Sequence, residues 1–199
     1  MASGRPGDAR SVLCSCVSIF LLLAGVTALT VWLVYRPYKP QFTVMDAAVY
    51  NLNATFPPFI STSMQFTIAT RNPNKRVSIF YDELTAYVSY RNQPITPRVM
   101  LPPLYHEKKS TVVLSPVLGD GGVVSVSAEL VNELVMDETY GVVPLTVVLM
   151  GRLRWKAGAI RTIRYEVYVR CDVWVGLKNG SAGLGEVPLL GAPPCKVDI

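Results

Sequence analysis

Histidine is close to absent from this sequence of 199 residues: His106 is its one example. The commonest general base is therefore available at a single position, in the polar run YHEKK, where an imidazole is expected to be solvated. No Gly-x-Ser-x-Gly elbow accompanies it, so a serine hydrolase has no nucleophile turn. Cysteine is nearly as scarce. Its four residues form two separated pairs, and one histidine added to them does not give zinc-ligand spacing. The cluster Gly119-Asp120-Gly121-Gly122 lacks the lysine and helix start of a phosphate cradle. These absences leave no catalytic, cofactor-binding or metal-binding residue to assign, and the chain is not expected to be an enzyme.

Charge is missing from one stretch altogether. Residues 12–35, VLCSCVSIFLLLAGVTALTVWLVY, contain no Asp, Glu, Lys or Arg. At about 1.5 Å rise per residue, this run as a helix is long enough to cross a hydrocarbon core about 30 Å thick. Trp32 and Tyr35 stand near its end, where amphipathic rings favour the interface, and Arg36 and Lys39 stop it. The expectation is an uncleaved anchor from Val12 to Tyr35. A signal peptide is the alternative. Its apolar core is usually shorter, about 7–15 residues, although Val26-Thr27-Ala28 offers a small-residue cleavage site. A buried core helix would need a polar face, and the run has none.

Basic residues flank both ends of the run, so charge alone does not orient it. Two other features do. Asn53-Ala54-Thr55 and Asn179-Gly180-Ser181 are N-glycosylation sequons, used on the lumenal side. Cys171 and Cys195 lie in the same C-terminal part and are candidates for a disulfide in an oxidising compartment, the alternative being two buried thiols. Both features favour a cytosolic N-terminus and an external C-terminal domain. Cys14 and Cys16, at the cytosolic mouth of the span, are S-acylation candidates or else small apolar helix residues. Ala2 in place of glycine excludes myristoylation.

The rest of the chain divides simply. Residues 1–11 are a small, polar cytosolic tail, 12–35 the transmembrane helix, 36–41 a stiff Pro-containing spacer, and 42–199 one domain. That domain reads as antiparallel strands. In SMQFTIAT, Met64, Phe66 and Ile68 share a face. Asn72-Pro73-Asn74 then breaks the run, because proline fixes its own φ and asparagine tolerates turn geometry. It is expected to join consecutive strands of one sheet. Val77, Ile79 and Tyr81 follow on one parity. A turn is expected near Asp82-Glu83, then Leu84, Ala86, Val88 and Tyr90 point inward. Residues 127–140 are the one good helix candidate, with Leu130, Val131, Leu134 and Val135 as its apolar stripe and Gly141 as C-cap. In the final hairpin Leu145, Val147, Leu149, Leu153 and Trp155 share a parity. After a turn at Ala157-Gly158-Ala159, Ile163, Tyr165, Val167, Val169 and Cys171 face in. Many short, evenly spaced strands indicate a mostly β, antiparallel β-sandwich with one short helix.

The formal net charge is +5, and its excess gathers on that hairpin. Arg152, Arg154, Lys156, Arg161, Arg164 and Arg170 lie on or beside it, and strand parity aims most of them outward together. Such a face suits anionic lipid head groups, acidic polysaccharide or an acidic protein. The plain alternative is a solvated outer face, partly neutralised by Glu166 and guarded against aggregation by long side chains. Nucleic acid is not an expected partner of an external domain, and assembly into a homo-oligomer stays open.

The order of parts resembles the plant non-race-specific-disease-resistance/harpin-induced-like proteins, which share a late embryogenesis abundant group 2 domain. FTVMDAAV, ATRNPNKRVSIFYDELTAYVSYRNQPI, LPPLYHEKKSTVVLSPVLG, VPLTVVLMGRLRWKAG and YEVYVRCDVWV carry the likeness, which runs from Val12 through nearly the whole chain. At Tyr105-His106 the chain departs from it, since members more often show an aromatic followed by glutamine. The resemblance implies a fibronectin-III-like sandwich outside the cell, held to the plasma membrane by one helix. The endoplasmic reticulum and plasmodesmata are further locations within the family. It also implies a non-enzymatic interaction or signalling role in defence and stress. The alternative is a structural tether or stress-protective protein that binds anionic lipid or cell-wall polysaccharide.

Overall fold

The computed structural model describes residues 6–56, 59–177 and 185–199. Two compact units are present, Met1–Pro37 and Tyr38–Ile199. In the first, Pro6–Tyr35 forms one helix, α1. Its Val12–Leu33 stretch is long and apolar enough to cross a bilayer. The hydroxyls of Ser18, Thr27 and Thr30 donate back to the carbonyls of Cys14, Ala24 and Val26 at 2.8–2.9 Å. Satisfied in this way, they cost little in a hydrocarbon environment.

The second unit is a sandwich of two antiparallel sheets. In chain order its strands are β1 (Gln41–Phe56), β2 (Phe59–Arg71), β3 (Ser78–Tyr90), β4 (Gln93–Pro94), β5 (Val99–Leu101), β6 (Leu104–His106), β7 (Thr111–Leu114), β8 (Val117–Leu118), β9 (Val123–Ser125), β10 (Val142–Ala157), β11 (Ile160–Arg161), β12 (Tyr165–Gly176), β13 (Glu186–Val187), β14 (Leu189–Gly191) and β15 (Lys196–Asp198). A helix, α2 (Ala128–Tyr140), lies between β9 and β10. The first sheet runs β13-β1-β2, with β9, β8 and β7 pairing successive lengths of the far edge of β2. The second runs through β12, β10 and β3. Strands β14 and β15 pair one edge of β12, and β4, β5 and β6 pair one edge of β3.

The period of two decides what is buried. On β2, Ile60, Thr62, Met64, Phe66, Ile68 and Thr70 all point into the core. They meet Ile79, Tyr81, Leu84, Ala86 and Val88 from β3, Val147 and Leu149 from β10, and Val167, Val169 and Val173 from β12. Helix α2 starts where Ser127 accepts a hydrogen bond from the Leu130 amide at 3.3 Å and stops at Gly141 in the left-handed region, φ 81°.

Four expectations need correction. Asn72-Pro73-Asn74 does not join strands of one sheet: β2 and β3 belong to different sheets, so this corner carries the chain across the sandwich. Nor does the chain turn at Asp82-Glu83. Strand β3 is continuous, and the parity slip between Tyr81 and Leu84 is a bulge, marked by the register shift opposite Arg152 and Leu153. Val135 is 44% exposed, because α2 rests on the domain along a narrower stripe of Leu130, Val131 and Leu134. Ile163 does not face in and is 74% exposed, while Tyr165, opposite buried Leu153 on the inward side, is still 39% exposed at the start of β12. The reason is that Thr162 ties itself to Trp155 by both backbone and hydroxyl, so pairing with β10 resumes only at Tyr165.

Gly151 lies in β10 opposite Leu84 of neighbouring β3, where a Cβ would lie 1.8 Å from the Glu83 carbonyl oxygen. Backbone must move to admit it. Gly151→Ala is expected to cost more than about 2 kcal/mol, read as a lowered thermal midpoint by circular dichroism of the full chain in detergent. A midpoint equal to that of the parent chain would show that the two strands can part there.

Candidate interaction surface

The six cations of the hairpin do aim outward, but they do not form one open face. The bulge presents Asp82 to two of them: its carboxylate accepts from Arg154 and, at 2.9 Å, from Nε of Arg164. Burial pulls the Asp82 carboxyl upward, yet the two arginines outweigh that and hold it below the usual carboxylate range. Arg170 donates to Asp172 at 3.0 Å, and that carboxyl is likewise held low against the opposing effect of burial. Arg152 stands 3.9 Å from Glu83. Lys156 and Arg161 have no carboxylate within ion-pair distance among the described residues.

Those two cations share a cleft of about 270 Å³ with Phe80, Tyr105, Arg154 and Trp155. Arg154 stacks 5.4 Å over the Phe80 ring, and Nζ of Lys156 lies 5.9 Å from the centroid of Tyr105. No carboxylate among the described residues lines the cleft, so its polar groups favour an acceptor-rich, anionic partner.

His106 is not solvated. Strand β6 pairs with β3 so that His106 stands opposite Ile79, and residues opposite one another share a face. Both are fully buried. Burial holds the imidazole below its ordinary value, outweighing the opposing Ser110 backbone, and neither ring nitrogen makes a hydrogen bond of ordinary geometry. The imidazole is therefore neutral in the fold. Because the unfolded chain binds this proton first, the stability that depends on a neutral His106 is intact above about pH 6.5 and lost as pH falls below it. Between pH 7 and 5 the thermal midpoint is expected to drop further for the parent chain than for His106→Gln. Parallel pH profiles would refute this.

The corner at residues 72–74 is a second structured polar site, which sequence patterning did not reveal. Asn72 and Asn74 are both buried. Nδ2 of Asn72 donates to the carbonyls of Val77 and Glu107, each at 2.9 Å. Its Oδ1 accepts from the backbone and side-chain nitrogens of Asn74. Asn74 in turn holds Tyr38 through a reciprocal pair: the Tyr38 amide donates to Oδ1 at 2.7 Å, and Nδ2 donates to the Tyr38 carbonyl at 2.8 Å. The Lys109 amide donates to the Asn74 carbonyl at 3.0 Å. Three chain segments thus meet on two amide side chains.

The remaining candidates separate. Cys171 and Cys195 form a disulfide with a Cα–Cα distance of 4.3 Å. Cys14 and Cys16 are exposed free thiols on α1. Asn53 falls in β1 with its side chain outside the described residues, and Asn179 lies outside them altogether. Among the described residues no cluster of His, Cys, Asp and Glu could hold a metal.

A two-sheet sandwich following one apolar helix defines a class before any name is attached: a small β-domain protein with a candidate single-pass anchor. The model of the family described as late embryogenesis abundant protein (LEA_2) matches residues 67–172. NDR1/HIN1-like protein 12 of Arabidopsis thaliana is 36% identical over 174 residues, spanning 87% of this chain and 82% of its own length. NDR1/HIN1-like protein 1 of the same plant is 34% identical, spanning 82% and 79%. Protein NDR1, also of Arabidopsis thaliana, is 26% identical, spanning 86% and 80%. This chain belongs to the late embryogenesis abundant LEA_2 family, among its NDR1/HIN1-like proteins.

Proposed function

We propose that this protein is a single-pass membrane protein of plant defence or stress responses that acts by contact rather than by catalysis. Kinship with NDR1/HIN1-like proteins supports the defence or stress setting, and the apolar helix supports anchoring. The observation that carries the contact reading is the cleft, where Lys156 and Arg161 stand beside the rings of Phe80 and Tyr105 with no carboxylate of their own. The burial of His106 supports the same reading, since the one histidine is withdrawn from any substrate.

In this reading residues 1–11 are cytosolic, 12–35 span the plasma membrane, 36–41 act as spacer, and the sandwich from residue 42 onward faces outward. Asn53 and Asn179 would then carry glycans, and Cys14 and Cys16 would be acylated. The Cys171–Cys195 disulfide supports the outward placement, because such bonds persist in oxidising compartments. The partner is a protein or an anionic lipid or polysaccharide surface. A structural tether is the second reading, favoured by the unpaired cations of the cleft.

Topology tests the core of this proposal. In sealed microsomes the sandwich is expected to resist added protease and to shift in mobility with endoglycosidase after lysis. Digestion without lysis would refute it. The cleft is tested separately with Lys156→Glu/Arg161→Glu, expected to weaken binding to anionic liposomes or polygalacturonate by about tenfold or more. Arg152→Glu/Arg170→Glu, at residues already paired, is expected to do less. Equal effects of the two variants would remove the cleft from the argument.

A further inference from the structure

Strand registers show which loops share one end of the sandwich. Gln41 stands opposite Arg71, Arg71 opposite Thr111, Ser78 opposite Lys156, and Ile79 opposite His106. The segments 72–77, 107–110 and 157–164 therefore all emerge at the end where Tyr38 is held by Asn74. Far apart in sequence, they are brought together only by the strand order.

The chemistry gathered there is one-sided. Segments 72–77 and 107–110 carry Lys75, Arg76, Lys108 and Lys109, all exposed, against the single carboxylate Glu107. The third segment adds Arg161, and Lys156 stands at its base. Apolar groups accompany the charge. Ile160 is 73% exposed, Ile163 74% and Tyr38 69%. Two β-branched side chains flanking an arginine on a water-facing tip are not explained by packing within the domain. A nucleic acid or an acidic protein would meet the cations but leave both isoleucines wet. A bilayer interface accepts all three kinds of group at once: phosphates meet Lys and Arg, isoleucine enters the acyl boundary, and tyrosine rings lie at head-group depth. Sequence adjacency points the same way. Only Arg36 and Pro37 separate Tyr38 from the last residue of α1, so the bilayer that receives the helix is also the lipid surface most available to these loops.

We propose that this end of the sandwich is a docking surface for an anionic bilayer, with Ile160 and Ile163 inserting into the interface and Lys75, Lys108, Lys109 and Arg161 contacting lipid phosphates. This rests on the membrane-anchored reading above and gives its anionic partner a definite chemistry. Residues on the strand faces, such as Arg152 and Arg170, take no part, because their charge is spent on Glu83 and Asp172.

The test uses the full chain in nanodiscs. Amide hydrogen exchange is followed in 157–164 and 107–110 with phosphatidylserine-containing and with pure phosphatidylcholine discs. Exchange is expected to be slower in the anionic discs by about fivefold or more. The protection should fall away in high salt. It should also be lost in Ile160→Ser/Ile163→Ser and in Lys108→Glu/Arg161→Glu. Unchanged exchange in β10 of each variant shows that the sandwich is intact. Equal exchange in the two disc types overturns the proposal while leaving the anchor standing. Failure of the chain to remain in discs of either lipid refutes the anchor itself. Protection that appears in phosphatidylcholine discs only when polygalacturonate is added overturns the lipid assignment in favour of a polysaccharide.

Discussion

Replacing Asn72 by alanine is expected to lower the stability of the sandwich by about 3–5 kcal/mol, at roughly 1–3 kcal/mol for each buried polar group left unsatisfied. The substitution removes no apolar packing of note. What it removes is the side-chain donor to the carbonyl of buried Val77 and the acceptor of the Asn74 backbone N–H, whereas the Glu107 carbonyl, at an exposed residue, keeps the Ser110 hydroxyl at 2.8 Å. Water has little access to replace it, since Asn72 is fully buried. Asn72→Asp keeps the shape but turns a donor into an acceptor facing two carbonyls, so it is expected to be at least as harmful as alanine. Pro73→Ala, at a residue with no hydrogen bond in this network, is the mild control. For a domain of this size each kcal/mol shifts the thermal midpoint by about 2–4 °C, so Asn72→Ala should melt roughly 6–20 °C lower. A change no larger than that of Pro73→Ala would mean that the corner is held by its backbone alone.

Removal of the disulfide has the next largest expected effect. Cys171 lies buried in β12, and Cys195 immediately precedes β15; the two are separated by 24 residues. Opening a loop of that length restores conformational entropy to the unfolded chain worth about 3.5 kcal/mol in the chain-entropy account. The folded state is weakened locally as well. Strands β14 and β15 hold to β12 by short registers, Trp174 with Gly191, Val175 with Leu189, and Tyr168 to Arg170 with Asp198 to Lys196. Cys171→Ala/Cys195→Ala, or dithiothreitol on the parent chain, should lower the midpoint by about 7–14 °C. Amide exchange should accelerate first in residues 189–198. An unaltered melt in reductant would show that the C-terminal strands hold themselves.

Much of the fold was legible because one signal, alternation, is local. The inward face of β2 and the core parity of β10 were read directly from residue order, and Ser127 to Gly141 carries its own start and stop chemistry. What failed was whatever a second strand decides. A parity slip reads the same whether it marks a turn or a bulge, and only the pairing of β3 with β10 shows that Asp82 is a bulge. Asn72-Pro73-Asn74 announces a break but cannot say which sheet the next strand joins. His106 sits among polar neighbours in sequence and is buried only because β6 pairs with β3.

The surface followed the same rule. Outward parity was readable for Arg154, Arg164 and Arg170, but their acidic partners come from another strand or from the next outward position. The cations left open, Lys75, Lys108 and Lys109, sit in short charged runs that look like ordinary loops until strand order gathers them. At Ile163 alternation was extended backwards past the point where the chain leaves the sheet, so an exposed residue was assigned to the core.

The grip of Asn74 on Tyr38 also bears on mechanics. Strand β1 begins only at Gln41 and is paired to β2 from that end, an arrangement that would peel one bond at a time under tension applied from the N-terminal side. With Tyr38 fastened on both its amide and its carbonyl, a pull is transmitted first into the crossing between the two sheets. The load is then shared by Val77, Glu107 and Lys109 before any rung of β1 is strained. In the membrane-anchored reading proposed above, the joint would act as a strain relief between the anchor and the sandwich.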